Sequence, residues 1–224
     1  MTPAVSIVLP TLDEAAGLAT TLEPLQPLRG RGCEVIVVDG GSRDRTVEIA
    51  RRLCDVVLSA PRGRGTQLNA GARAARGEVL LFLHADTRLP PGAIDAVHAA
   101  LRHREWGRFD VEIDGAHPLL RVVGPLMNLR SRLTGIATGD QAIFVERGLF
   151  ESAGGFPETP LMEDVALSTA LRRSARPACL RQRVVTSGRR WESRGVLRTI
   201  LLMWWLRLLF FLGRDASSLA RRYG

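Results

Sequence analysis

The 224-residue chain contains no lysine: all 31 of its basic side chains are arginine. It has three cysteines, four histidines and one tyrosine, and aromatic residues make up only 5% of it. Cys33, Cys54 and Cys179 are odd in number and widely scattered. That excludes a disulfide framework and zinc-ligand spacing, and predicts buried thiols in a reducing compartment. His98, His103 and His117 have no acidic triad partner and receive no role. No apolar run reaches the roughly 20 clean residues that a bilayer span needs. The longest, 196–212, is interrupted by Arg198 and Arg207. The chain begins directly with an apolar run and lacks a basic n-region and a small-residue cleavage site, so no secretory signal is expected. Repeats and low-complexity linkers are also missing. With 46% hydrophobic and 24% charged residues, the chain is neither disordered nor collagen-like.

What is present is unevenly placed. Residues 1–171 carry 18 arginines against 21 acids, net −3, whereas 172–224 carry 13 arginines against two acids, net +11. A basic tail suggests nucleic acid or an anionic membrane surface. This tail, however, also holds the apolar runs 200–206 and 208–212, which suit a core or membrane-facing helix better than a nucleic-acid arm.

The first 110 residues alternate strand and helix. Strands are predicted at 5–9, 34–38, 56–58 and 79–83, and helices at 15–25, 45–53 (with Ser42 or Asp44 as its cap), 66–75 and 92–103. Strands that are apolar throughout, joined by helices, imply a parallel sheet covered on both faces. The pattern then changes. A half-exposed strand is expected at 109–113, a helix at 119–133, a strand at 142–145, a short helix at 148–153, a helix at 165–173, a strand at 180–185 and a long helix at 196–212. A short amphipathic segment, 217–223, closes the chain.

Ligands of a parallel α/β sheet bind beyond the carboxyl ends of its strands. Thr11, Asp13 and Glu14 follow the first strand, and Asp39, Ser42 and Asp44 the second. Arg62, Arg64, Gln67 and Asn69 follow the third, and His84, Asp86 and Thr87 the fourth. Three acidic clusters and one arginine cluster should meet on one rim. Carboxylates there can bind ribose hydroxyls, a base N–H or a divalent cation, and arginine suits phosphate.

These residues resemble a known family. Ser6-Ile7-Val8-Leu9-Pro10-Thr11-Leu12-Asp13-Glu14, followed by Val37-Val38-Asp39-Gly40-Gly41-Ser42-Arg43-Asp44, is similar to the opening of family 2 glycosyltransferases of the GT-A fold. The remainder resembles a bacterial subgroup of short stand-alone members: the Arg-Gly-x-Gln-x-Asn-x-Gly segment at 64–71, His84-Ala85-Asp86, Gly139-Asp140-Gln141, Gly154-Gly155-Phe156-Pro157, Glu163-Asp164, and Ser187-Gly188-Arg189-Arg190-Trp191. The resemblance implies an α/β fold of the nucleotide-diphospho-sugar transferase type, with a mostly parallel central sheet, helices on both faces and a C-terminal apolar helix. It divides the chain into a catalytic domain over 1–195 (nucleotide-binding half 1–105, acceptor half 106–195) and an apolar, basic helical segment over 196–224.

The resemblance also implies roles. Pro10, Thr11, Glu14, Asp39 and Ser42 would surround the nucleoside of a sugar nucleotide, with a UDP-sugar favoured. Arg64 and its glycine-rich surroundings would meet its diphosphate, and Gln67 and Asn69 would also belong to the donor-binding set. Asp86 would bind Mg²⁺ or Mn²⁺, with His84, which stands where many relatives have the first Asp of an Asp-x-Asp pair, as a second candidate ligand. Asp164 would be the general base of an inverting, in-line displacement. Gly139, Asp140, Gln141, Glu163, Arg189, Arg190 and Trp191 would lie near the acceptor or the diphosphate. The acceptor would be a hydroxyl or carboxyl, lipid-like or a small molecule, and the enzyme cytoplasmic, on the inner face of the membrane when it contacts lipid. Nucleic acid is not an expected partner.

Simpler readings stand beside these. Asp39 and Asp44 suit a strand-to-helix turn, and so do His84 and Asp86. Glu163 and Asp164 suit the first turn of a helix, and Gly154-Gly155 suits a helix C-cap. Asp140 and Gln141 could bond loop backbone, and Arg189-Arg190 could be a solvated stretch. For the last segment three placements compete: a helix packed on the domain, an interfacial helix on lipid, and a homodimer contact. Two rival functions are weaker. A sugar-phosphate nucleotidylyltransferase should carry a basic Gly-rich loop where Thr11-Leu12-Asp13-Glu14 stands. A non-enzymatic basic membrane-binding protein leaves the acidic rim without purpose.

Overall fold

The computed structural model describes residues 4–212; the expected segment 217–223, with Arg214, Arg221 and Arg222, lies outside them. Strand β1 (Val5–Thr11) leads into helix α1 (Ala15–Leu22), which runs through a 3-10 turn into the short α2 (Gln26–Arg29). Then follow β2 (Cys33–Asp39), α3 (Thr46–Leu53), β3 (Val56–Ser59), α4 (Arg64–Ala74), β4 (Val79–Phe82), β5 (Thr87–Arg88) and α5 (Ala93–Leu101). The second half contains β6 (Trp106–Asp114), α6 (Leu120–Thr134), β7 (Phe144–Glu146), α7 (Arg147–Ser152), α8 (Glu163–Ser174), β8 (Ala178–Ser187), α9 (Arg189–Arg194) and α10 (Val196–Phe211).

All eight strands form one sheet in the order β3-β2-β1-β4-β7-β6-β8-β5. The pairs β3–β2, β2–β1, β1–β4 and β6–β8 are parallel, while β7 is antiparallel to both its neighbours and β5 to β8. Since β7 reverses direction on both sides, β6 and β8 run the same way as β1, β2 and β4. The carboxyl ends of β1, β2, β4, β6 and β8 therefore open on one rim. This is the geometric reason why loops more than 170 residues apart meet, as in the Glu14–Arg189 contact, which spans 175 residues.

Both faces are covered, as the sequence predicts. Successive strand side chains point to opposite faces, and here both sets are apolar. Val5, Ile7, Leu9, Val35 and Val37 pack with Leu18 and Leu22 of α1 and Ile94 and Val97 of α5. Val8, Ile36 and Val38 pack with Leu68 and Ala72 of α4 and Leu167 and Leu171 of α8. Gly71 lets α4 lie flat on the sheet: a Cβ there would meet Val38 Cγ2 at 3.0 Å and press closer still on Val8.

Some local expectations change. Helix α3 is not capped by Ser42, whose hydroxyl bonds Asp39 instead. Nor is Asp44 its cap, since the N-cap position is Arg45 with no side-chain cap bond; Asp44 accepts the Thr46 N–H at 2.9 Å and the Ala15 N–H at 3.0 Å and so ties the start of α3 to α1. Strand β5 and helix α9 are not anticipated. The Gly154-Gly155 pair ends α7: both have positive φ, +82° and +71°, and the Gly155 N–H returns to the Phe150 carbonyl at 3.0 Å, which is the geometry of a glycine C-cap.

Helix α10 lies on the domain along one side. Leu206 is fully buried with Ile136, Leu161, Met162 and Val165, and Val196 and Thr199 are also buried. Its other side leaves Leu197, Leu201, Trp204 and Trp205 exposed. Arg198 is exposed and Arg207 is half-buried, in keeping with positions about 180° apart on a helix. Val122, Leu126, Leu129 and Leu133 form a similar exposed stripe on α6. Among the described residues no helix is long and apolar enough to cross a membrane.

Candidate active site

The rim holds a cavity lined by Pro10, Glu14, Arg64, His84, Asp86, Asp140, Arg190 and Trp191 from the sequence-derived set. Ala85, Thr186, Ser187, Thr199 and Met203 complete its wall. Most enter from a loop at a strand end or a helix start, while Met203 lies midway along α10. Glu14 precedes α1, and its N–H bonds Thr46 Oγ1 at 2.8 Å. Asp86 follows β4, and the Ser187 N–H bonds its carbonyl at 3.1 Å. The β5–β8 pairing of Thr87 with Thr186, whose hydroxyls bond at 2.9 Å, fixes that loop. An adjoining cavity contains Glu14, Asp86, Asp114, Ser187 and Arg189, with Arg189 Nη2 donating to Glu14 Oε2 at 3.1 Å.

Asp164 opens on a third, smaller cavity with Arg64, His84, Gly139 and Glu163. Its Oδ2 accepts the Gly139 N–H at 2.7 Å. Met162, just before α8, is buried with φ +65°, a conformation uncommon for a side-chain-bearing residue and frequent where function constrains backbone. It delivers both acids from the first turn of α8. Arg64 Nη1 joins Glu163 Oε1 at 3.0 Å across 99 residues of sequence. Burial, and then the neighbouring Asp164 charge, raise the Glu163 carboxyl above the usual carboxylate range despite Arg64. Burial opposes the charge on Arg64, but Glu163, Asp164 and Asp140 outweigh it and hold the guanidinium firmly charged.

His84 Nδ1 lies 3.2 Å from Asp140 Oδ1, and its ring rests against Gly139, where a Cβ would collide with it. Burial disfavours a charged Asp140, but the His84 hydrogen bond and the charges of His84, Arg64 and Arg190 bring its carboxyl down to about 2. His84 is thus oriented by Asp140. Among the described residues no group of three or more His, Cys, Asp or Glu side chains could hold a metal by itself.

Several other candidates have their polar atoms engaged by the fold. Asp39 accepts the N–H groups of Gly41 and Ser42, both at 2.9 Å, and the hydroxyls of Ser42 and Thr11. It shapes the turn after β2, beside the cavity. The buried Gln67 amide donates to the Thr11 and Val38 carbonyls at 2.9 and 2.8 Å. Asn69 bonds both backbone groups of Phe156, at 2.8 and 2.9 Å. Gln67 and Asn69 thus act as struts between loops. Gln141 is fully buried; its Oε1 accepts the Thr138 N–H at 3.2 Å and its amide donates to Asn128 at 3.3 Å. The sequence reading omits Thr186, Thr199 and Met203, whose strand and helix positions look like packing positions.

A model of glycosyl transferase family 2 matches residues 6–116. The chain belongs to that family. It is 32% identical over 101 residues to the undecaprenyl-phosphate 4-deoxy-4-formamido-L-arabinose transferase of Pseudomonas aeruginosa PAO1, covering 40% of this chain and 30% of that protein. The enzyme of the same name from Aeromonas hydrophila is 31% identical over 110 residues, 44% of this chain and 34% of that protein. The family 2 chain thus matches about a third of the length of these relatives. In fold it is similar to Staphylococcus aureus TarS 1–349 in complex with UDP-GlcNAc, with TM-score 0.66 and 20% identity over 82% of this chain and 58% of that one. It is also similar to the mannosyltransferase PcManGT of Pyrobaculum calidifontis with GDP-Man and Mn²⁺, with TM-score 0.64 and 24% identity over 83% and 57%. The fold is GT-A.

Proposed function

We propose that this family 2 chain transfers a sugar from a nucleoside-diphosphate sugar, with a UDP-sugar favoured, to an oxygen of a lipid-like acceptor, inverting the anomeric centre. One observation carries the reading: the parallel strand ends gather Glu14, Asp86, Asp140, Arg64 and Arg190 around a single cavity. Glu14, beside the Thr11–Asp39–Ser42 turn, would meet the nucleoside. Arg64 and Arg190 would offset the diphosphate charge that develops as the bond to C1 breaks. The acceptor oxygen attacks C1 from the Asp164 side, and the departing diphosphate keeps the electron pair of the broken C1–O bond. Asp164 takes the acceptor proton when there is one, and Gly139 holds its carboxylate in place.

Asp86 would hold Mg²⁺ or Mn²⁺. One carboxylate suits an ion whose other ligands are donor phosphate oxygens and water, which fits the lack of a protein-only cluster. When bound, such an ion neutralises charge on the leaving diphosphate. The mannosyltransferase with GDP-Man and Mn²⁺ supports this assignment by analogy of fold. A thermal-shift screen of UDP-, GDP- and dTDP-sugars with and without Mn²⁺ tests it. A donor present at about 100 times its Kd should stabilise the protein by about 2.7 kcal/mol. The Mn²⁺-dependent part should disappear in Asp86→Ala, and a screen without any shift would sink the reading.

The exposed stripes of α6 and α10 support a peripheral membrane contact, with lipid-like acceptors drawn from that surface. The polyprenyl phosphates named for the Pseudomonas and Aeromonas relatives suit such a site. Burying one leucine in the interface is worth about 1.5–3 kcal/mol, tenfold per 1.4 kcal/mol. Leu201→Asp and Leu129→Asp together should lower partitioning onto phosphatidylcholine–phosphatidylglycerol vesicles by about 100-fold or more. An unchanged partition coefficient would remove the membrane from the reading.

A further inference from the structure

Among the described residues, two arginines near Asp164 have no acceptor for some of their buried N–H groups. Arg130 Nε and Nη2, on α6, and Arg207 Nε, on α10, are shielded from solvent and have no hydrogen-bond acceptor among the described residues. An orphaned buried N–H is costly, and a charged one more so, so the pair is destabilising as it stands. Both belong to the neighbourhood of Asp164. On α10, Thr199 and Met203 line the rim cavity; Arg207 lies one turn beyond Met203 on the same side, next to Leu206, which packs on Met162 and Val165 around Asp164. On α6, Arg130 is close enough to Arg207, Asp164 and Arg108 to sense their charges, and Arg207 likewise senses Asp164 and Asp140. The nearby Arg108, which donates to Ser131, the Asn128 carbonyl and Asp110, is itself a donor-only cation and offers them no acceptor.

We propose that Arg130 and Arg207 form an oxyanion site that holds the terminal phosphate of a lipid monophosphate acceptor. The two helices bring three orphaned N–H-bearing nitrogens into the neighbourhood of Asp164. A phosphate monoester offers three terminal oxygens in three directions, whereas a carboxylate offers two in one plane and an alcohol one, and guanidinium groups pair well with phosphate. The apolar stripes of the same two helices lie on their outer sides, so a lipid tail has a surface to follow while its head reaches Asp164. Burial, then the neighbouring Arg207 charge, lower the Arg130 guanidinium to about 10, and burial lowers Arg207 as well, a cost that a bound dianion would relieve. In the transfer step a phosphate oxygen forms the new bond to C1 and the nucleoside diphosphate leaves with the pair from the broken C1–O bond. The dianion has no proton to lose; the monoanion gives its proton to Asp164. This proposal rests on the glycosyltransferase reading for its reaction, but not for its binding site.

The test titrates the full chain with farnesyl monophosphate, farnesol and inorganic phosphate, for wild type, Arg130→Gln and Arg207→Gln. Wild type should bind farnesyl monophosphate at least tenfold more tightly than either farnesol or inorganic phosphate. Each substitution should cost at least tenfold for farnesyl monophosphate only, while the nucleotide-sugar thermal shift stays as in wild type. Without ligand, both variants should melt at or above the wild-type Tm, because each loses an unpaired buried charge. Equal affinity for farnesol, equal affinity for inorganic phosphate, unweakened variants, or variants with clearly lowered Tm would each overturn the proposal. A wild type that binds no nucleotide sugar yet shows the phosphate contrast would overturn the transferase reading alone.

Discussion

Asp164→Asn should lower kcat by about 10²–10⁴-fold, the range for loss of a positioned general base, with Tm nearly unchanged. The fold should survive because an Asn side-chain oxygen can still accept the Gly139 N–H that Asp164 accepts at 2.7 Å. The pH dependence carries more information than the size of the loss. A phosphate monoester keeps its second proton below about pH 6. With such an acceptor the deficit should be largest under acid conditions and narrow as pH rises. With an alcohol acceptor the deficit should persist across the range, since the hydroxyl never ionises by itself. Steady-state kinetics of both proteins from pH 5 to 9 would separate these cases. Equal kcat for variant and wild type at every pH would show that Asp164 is not the base.

Arg64→Gln is the second large effect, and it acts on fold and donor together. Glu163 is 3% exposed at its side chain and Arg64 36%. Removing one partner of a fully buried pair costs about 3–5 kcal/mol, and the water around Arg64 reduces that to about 2–3 kcal/mol. The sign with pH follows from Glu163. Its carboxyl lies above the usual range, and Arg64 is the cation that limits the rise. Without Arg64 it should rise further. A carboxyl with a raised folded pKa favours the native state while protonated, and that contribution is lost as pH rises through the folded pKa. The variant should therefore be close to wild type in acid and lose ground steadily as Glu163 ionises. Denaturant unfolding at several pH values measures this, and the nucleotide-sugar Kd should weaken in parallel. A deficit of the same size at every pH would mean that Glu163 does not carry it.

Much of the first half could be read from residue order. Strand β2 is buried at all seven positions, so its apolar run is unambiguous and its end at Asp39 is marked by Gly40 and Gly41. The rim followed from parallel topology. What the sequence concealed has physical reasons. Strand β5 has two residues and no periodicity to display. Strand β8 carries the exposed Arg181, Gln182 and Arg183 in its middle, where a register shift opposite Phe109 and Asp110 breaks the alternation. An amide side chain serves backbone and phosphate equally well, so the spacing of Gln67 and Asn69 could not reveal that both brace loops. Arg130 and Arg207 sit among leucines on helices, where an arginine usually reads as the polar edge of an amphipathic face; only the third dimension turns them inward.

The bonds that assemble the cavity join distant parts of the chain: Asn69 to Phe156 spans 87 residues, Arg64 to Glu163 spans 99, and Glu14 to Arg189 spans 175. The parallel layers β1–β2–β3 close through far shorter loops. Loop-closure entropy has to be met before such distant contacts can repay it, so the nucleotide-binding layers can form early and the catalytic rim closes last. During synthesis the carboxylates and arginines of the rim are exposed until α8 and β8 have emerged. A nascent chain that stops short of them has a nearly complete half-sheet and no site.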